Sequence, residues 1–345
     1  MKAAVLYQLN QPLKIKDLKY SKLHHGQVLV EIVSSGICGT QLLEISGQRG
    51  KDPFLPHTLG HEGSGYVIEV GDGVQKVKPG DHVILSWMKG SGIDAAPPSY
   101  LTSSNEEINS GPVTTFQTMS IVSENRLTSI PKSMPLIEAS LIGCCVATGL
   151  GLVFRQANVQ NQHTIAVIGL GGIGLNVIQG AAIRQAKKII AIDIHDHKLK
   201  AAQKLGATHI IHANQCNVQS VIDQITQNIG VDFSFECVGS QRTMELAFEI
   251  VRRQDGKAFL VGNLPKGNRI TIDPFELILG KQIFGSWGGS TNVDQDFPLY
   301  VDLFLKGKLK LTELISHRFR LQDIHQAFQI LQEGQGLRSI IDFSQ

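Results

Sequence analysis
Residues 164–174 read TIAVIGLGGIG, an apolar strand run that ends in glycines. The pattern Gly169-x-Gly171-Gly172-Ile173-Gly174 satisfies G-x-G-x-x-G. Alone it is a weak signal, so its surroundings decide the fold. Behind it, NVIQGAAIRQA has helical spacing, and KKIIAID (187–193) is a second apolar strand that ends on Asp193. An acid about 20 residues after the glycines is what a dinucleotide-binding βαβ unit needs. The glycines permit a tight turn, and a helix N-terminus offers backbone N–H groups and a favourable dipole to a pyrophosphate. Asp193 can accept hydrogen bonds from ribose hydroxyls and would repel a 2′-phosphate, which favours NAD over NADP. His195, His197 and Lys198 follow at once, and their positive potential works against strict preference.

Outward from this unit the alternation continues. Helices are expected near 197–205, 217–228 and 242–252, and strands near 208–212, 231–239 and 257–262. Strands separated by helices of 10–15 residues predict a parallel sheet. Before residue 146 the character is different. QVLVEIV (27–33) and residues 65–70 alternate apolar and polar side chains, with turn signals at 71–73 and 79–81. Residues 88–112 are rich in Gly, Ser, Pro and Asn, show no apolar period, and predict a long surface lobe.

The chain has 345 residues, 42% of them hydrophobic, and a formal net charge of +2. That predicts two domains with ample core and gives no electrostatic reason for nucleic-acid or membrane-surface binding. No uninterrupted apolar run of about 18 residues is seen, so no membrane span is expected, and the first residues lack a secretory pattern. Five scattered cysteines make a poor disulfide framework and point to a reducing, cytoplasmic compartment. Cys216 and Cys237 are expected as small buried hydrophobes.

A second set of residues suggests metal chemistry. Cys38 lies in SSGICGTQ at the end of an apolar strand. His61 lies in PHTLGHEGSGYVIEV, crowded by glycines and followed by Glu62. LIGCCVATG supplies Cys144 or Cys145. Cysteine and histidine suit zinc, and three protein ligands with an open fourth position is the catalytic arrangement. Spacing alone leaves buried thiols and a turn histidine as an equal alternative.

These motifs resemble the zinc-dependent alcohol dehydrogenases of the medium-chain dehydrogenase/reductase superfamily. GHEGSGYVIEVGDGV resembles that family's zinc signature, GICGT its first-ligand segment, and LIGCCVATGLG its second-cysteine segment. The likeness continues through IGLGGIGLNVI, IIAIDI, LGATHII, DFSFECVG and LRSIIDF, over nearly the whole chain. It implies an α/β fold: a β-rich GroES-like catalytic domain over 1–145 and 289–345, and a Rossmann doubly wound parallel-sheet domain over 146–288. It implies one catalytic Zn2+ per chain on Cys38, His61 and Cys144, with Glu62 beside the metal and Thr40 handling the substrate proton. It further implies that Thr148 and Val261 face the nicotinamide, Lys198 the adenosine ribose and Arg338 the pyrophosphate, and that Trp87 lines the substrate pocket. The implied activity is reversible hydride transfer between an alcohol and NAD, in a homodimer or homotetramer. The polar lobe would suit a polyol or sugar-derived substrate.

Three positions depart from the family pattern. Gln41 stands where an acid commonly follows the threonine and orients the histidine ligand. Residues 88–120 hold no cysteine, so no structural zinc is expected. Leu43 replaces a histidine that in some relatives completes the proton relay. The competing readings are a zinc-free quinone or enoyl reductase, and a dehydrogenase-like lyase or NAD-binding protein without net turnover.

Overall fold
The computed structural model describes residues 1–344. The chain divides into two compact units, Met1–Cys144 with Asn292–Gln345, and Cys145–Thr291.

The second unit carries six parallel strands in the order His209–His212, Lys188–Asp193, Thr164–Ile168, Phe233–Glu236, Lys257–Leu260 and Gln282–Gly285. Numbered along the chain this is 3-2-1-4-5-6, the Rossmann order. Buried strands of this kind read as apolar runs rather than alternations. Thr164–Ile168 is buried at four of five positions, and Lys188–Asp193 at five of six. Phe235, Phe259 and Phe284 face one another across three neighbouring strands, with ring centroids 5.4 and 5.6 Å apart. Such cross-strand aromatic contacts help hold register. The helix after the glycines runs Gly172–Ile183. Gly174 has no room for a side chain, since a Cβ there would lie 2.0 Å from the Gly169 carbonyl oxygen.

The first unit combines a closed barrel with a seven-stranded sheet. In the sheet, Gln27–Gly36 pairs antiparallel with Glu62–Val70, with Met119–Ser123 and with the C-terminal strand Arg338–Asp342. The C-terminal strand thereby lies beside the strand that leads into Cys38.

Three features of the structure were not read from the sequence. The lobe over 88–112 is not free of regular structure. Ser99–Thr102 and Glu107–Asn109 form a hairpin that helps close the barrel. Only Tyr100 and Ile108 of this hairpin are large apolar side chains that turn fully inward, too few to show a period. Residues Leu136–Gln156 form a helix that by length and composition alone could span a membrane, with a mean hydropathy of 1.9. It is 94% buried within the protein, so it is a core helix whose glycines pack rather than break it. Cys216 is exposed in the turn before the helix Val218–Thr226, and is not a buried hydrophobe.

Candidate metal centre and nucleotide loop
Three local features bring the metal-binding side chains together. Cys38 ends the strand-to-helix turn and caps the helix Gly39–Ile45. His61 follows Gly60, whose φ of +95° and tight fit against Thr115 and Phe116 exclude any side chain. Cys144 sits in a π-helical turn, Ile142–Val146, inside the long core helix. Such turns are rare and cluster at functional sites. The turn is tied to the sheet by the Ser86 hydroxyl, which donates to the Gly143 carbonyl at 2.6 Å.

The ligand atoms of Cys38, His61 and Cys144 all lie within 4.8 Å of one another. Among the described residues this is the one group of three or more such side chains that converges. Both cysteines are buried. The His61 Nε2 atom is buried and has no hydrogen-bond partner. An orphaned ring nitrogen between two thiols is costly unless something binds it. A tetrahedral zinc, with bonds of about 2.0–2.3 Å, would span the group after a contraction of about 1 Å. The residues therefore fit a zinc ion held by three protein ligands. Cys144, not Cys145, belongs to the group.

The electrostatics favour a metal-binding thiolate. The hydrogen bond with Cys144 holds the Cys38 thiol well below its usual range; burial opposes this, and His61 and Arg338 add to it. Glu62 is fully buried and ion-paired with Arg338. Burial lowers the Arg338 guanidinium, and the adjacent Cys38 thiol opposes that. Arg338 thus lies against the metal group, turned to Glu62 and Cys38. Sheet pairing puts it there, since Arg338 opens the strand that lies along Gln27–Gly36.

The Thr40 hydroxyl is 3.7 Å from the Cys38 sulfur. Trp87 is partly buried, and its backbone N–H donates to the His61 carbonyl at 3.1 Å. Gln41, which stands where the family pattern commonly has an acid, occupies two roles. Its Oε1 accepts the Cys38 backbone N–H at 3.0 Å, as a helix-capping side chain does, and its Nε2 lies 2.5 Å from His61 Nδ1.

In the second unit, Asp193 shapes the nucleotide loop. Its Oδ2 accepts the Leu170 N–H at 2.8 Å, and its Oδ1 accepts the N–H groups of Ile194 and His195 at 2.8 and 3.0 Å. Gly171 caps the helix Gly172–Ile183, and Gly171, Gly172 and Ile173 are partly exposed. Lys198 is partly buried beside Asp193; burial lowers its ammonium group and Asp193 opposes the shift. Thr148 is buried in the helical turn Ala147–Gly151. Val261 donates its backbone N–H to the Glu236 carbonyl at 2.9 Å.

Comparison with known proteins matches both units. Residues 24–132 match the alcohol dehydrogenase GroES-like domain family, and residues 172–306 the zinc-binding dehydrogenase family. The S-(hydroxymethyl)glutathione dehydrogenase of Synechocystis is 33% identical over 368 aligned positions, covering 99% of each chain. The class-3 alcohol dehydrogenase of Cereibacter sphaeroides is 31% identical, again over 99% of each. Among solved structures, an alcohol dehydrogenase zinc-binding domain protein from Burkholderia ambifaria superposes with a TM-score of 0.92 at 28% identity, covering 99% of this chain and 98% of that one. Benzyl alcohol dehydrogenase from Acinetobacter calcoaceticus gives 0.89 at 27%, with the same coverage.

Proposed function
This chain belongs to the zinc-dependent alcohol dehydrogenases of the medium-chain dehydrogenase/reductase superfamily, and on that premise we propose one zinc ion per chain, on Cys38, His61 and Cys144, and NAD as the hydride acceptor. The reaction is reversible hydride transfer between an alcohol and its carbonyl. The single observation that carries the zinc assignment is the buried, orphaned His61 Nε2 between two buried thiols. A zinc-free quinone or enoyl reductase would have no use for that arrangement.

When bound, zinc supplies a Lewis acid for the substrate oxygen. The remaining roles fall to side chains. Thr40, in reach of the ligand sulfur, holds the substrate hydroxyl and takes its proton towards solvent. Glu62 stays beside the metal because Arg338 neutralises it, and Arg338 also remains the candidate for the pyrophosphate. Trp87, fixed to the His61 carbonyl, lines the substrate pocket. The Gly169–Gly174 loop and helix N-terminus hold the pyrophosphate. Asp193 retains lone pairs beyond its three backbone bonds for the ribose hydroxyls, with Lys198 beside it. Thr148 and Val261 face the nicotinamide.

No structural zinc accompanies the catalytic one in this reading. The protein works in the cytoplasm, in keeping with five free cysteines, as a homodimer or homotetramer. The outer strand Gln282–Gly285 supports self-association. It ends the parallel sheet, and Phe284, Ile278 and Trp287 are 40%, 77% and 81% exposed near it in sequence. Purified protein given NAD+ and a panel of alcohols should form NADH. The panel should include S-(hydroxymethyl)glutathione, benzyl alcohol and a polyol, because relatives are named for the first two and the polar lobe suits the third. Tight NAD binding with no NADH from any alcohol would favour the lyase or binding-protein reading.

A further inference from the structure
Gln41 is engaged on both sides of its side-chain amide. Its Oε1 accepts the Cys38 N–H at 3.0 Å, which leaves its NH2 group 2.5 Å from His61 Nδ1. Both Cys38 and Gln41 are buried, at 8% and 1% exposure, so water is a poor substitute partner for either. An amide nitrogen only donates, so His61 Nδ1 accepts in this arrangement and the neutral ring carries its hydrogen on Nε2. With Nδ1 taken by Gln41, the buried and unpartnered Nε2 is the nitrogen left to join the two thiols, and therefore the atom a metal needs bare. Metal binding through Nε2 moves the ring hydrogen to Nδ1, where it faces the Gln41 NH2 as donor against donor.

From this conflict we infer that Gln41 is a metal-linked amide switch. When zinc binds, the side-chain amide turns over, Oε1 passes from the Cys38 N–H to the His61 Nδ1–H, and the helix-capping bond at Cys38 is given up. A carboxylate at this position would serve both donors at once and would have nothing to switch. Gln41 is thus a positioning residue that makes zinc uptake compete with the local helix cap, so the chain binds zinc less tightly than its ligand set allows. The inference rests on the zinc reading above.

The test uses the full-length apoprotein and Zn2+ alone. Wild type and Gln41→Glu, which keeps the cap and adds an oxygen, are labelled with 15N-cysteine and 15N-histidine. Five cysteine amides then need assignment. Zinc affinity is measured by competition with a chromophoric chelator. In wild type, zinc should move His61 Nδ1 from an accepting to a protonated shift and speed hydrogen exchange at the Cys38 amide. In Gln41→Glu the Cys38 amide should stay protected on zinc binding, and affinity should rise about 10–100-fold, the usual size of such partner effects. Added negative charge alone could tighten zinc, so the Cys38 amide is the deciding signal. A Cys38 amide that zinc leaves unchanged in wild type would overturn the switch while leaving the zinc site intact. No zinc uptake by either protein would overturn the zinc reading and this inference together.

Discussion

Glu62 exposes none of its surface and Arg338 only 6%, so each depends on the other for its charge. Removing one member of a buried pair leaves an uncompensated charge, at a cost of about 3–5 kcal/mol. Arg338→Met should destabilise the first unit by that order, read as a lower urea midpoint. Adding Glu62→Gln should recover part of the loss, because an amide is cheaper to bury than a carboxylate. An unchanged midpoint in the single variant would show that the pair contributes nothing to folding. At this scale the sequence was only partly legible. Cys38, His61 and Cys144 could be picked out as candidate ligands, yet no local signal brought them together. Sheet pairing of Ser35 with Gly63 and the π-helical turn at Cys144 do that. The partner of Arg338 was hidden for the same reason, as 276 residues separate it from Glu62 in the chain.

The lobe after Trp87 has no cysteines to bind a metal, and carboxylates fasten parts of it instead. Glu124 Oε1 accepts the backbone N–H groups of Gln75 and Lys76, both at 2.6 Å, and Oε2 accepts that of Ile93 at 2.8 Å. Asp294 accepts the Ser91 N–H at 2.7 Å and the Lys76 ammonium at 2.8 Å. Burial works against ionisation of Glu124, but the backbone donors win and hold its carboxyl below the usual range. A carboxylate with a lowered folded value stabilises above its unfolded value, near pH 4.3, and the stability is lost as pH falls through the folded value. Glu124→Gln keeps one oxygen and loses the charge. It should cost about 1 kcal/mol per weakened bond, the gap between charged and neutral acceptors, with faster exchange at the Ile93, Gln75 and Lys76 amides and less dependence on pH below about 4. Exchange rates matching wild type across that range would contradict the fastening role. Strong patterns made other elements readable. The parallel strands show as apolar runs, and the glycine loop fixes where the first helix begins. The barrel hairpin stayed hidden because four and three residues give no period. The core helix stayed hidden because Gly143, Gly149 and Gly151 interrupt its apolar run, while packing tolerates them.

For the molecule as a whole, two units divide the chemistry. The first holds the metal ligands and the second the nucleotide loop. The nucleotide loop was the more legible of the two, because G-x-G-x-x-G has a fixed spacing, whereas the glycines around His61 mark one candidate ligand and not its partners. Zinc at Cys38, His61 and Cys144 is the claim on which the rest depends. Native mass spectrometry of protein purified without added metal reads zinc per chain and the number of chains together. About one zinc per chain is expected in a dimer or tetramer, and none in a Cys144→Ala variant that keeps the same assembly. Two zinc ions per chain would reveal a second site. No zinc, with none taken up on titration, would contradict the account at its centre.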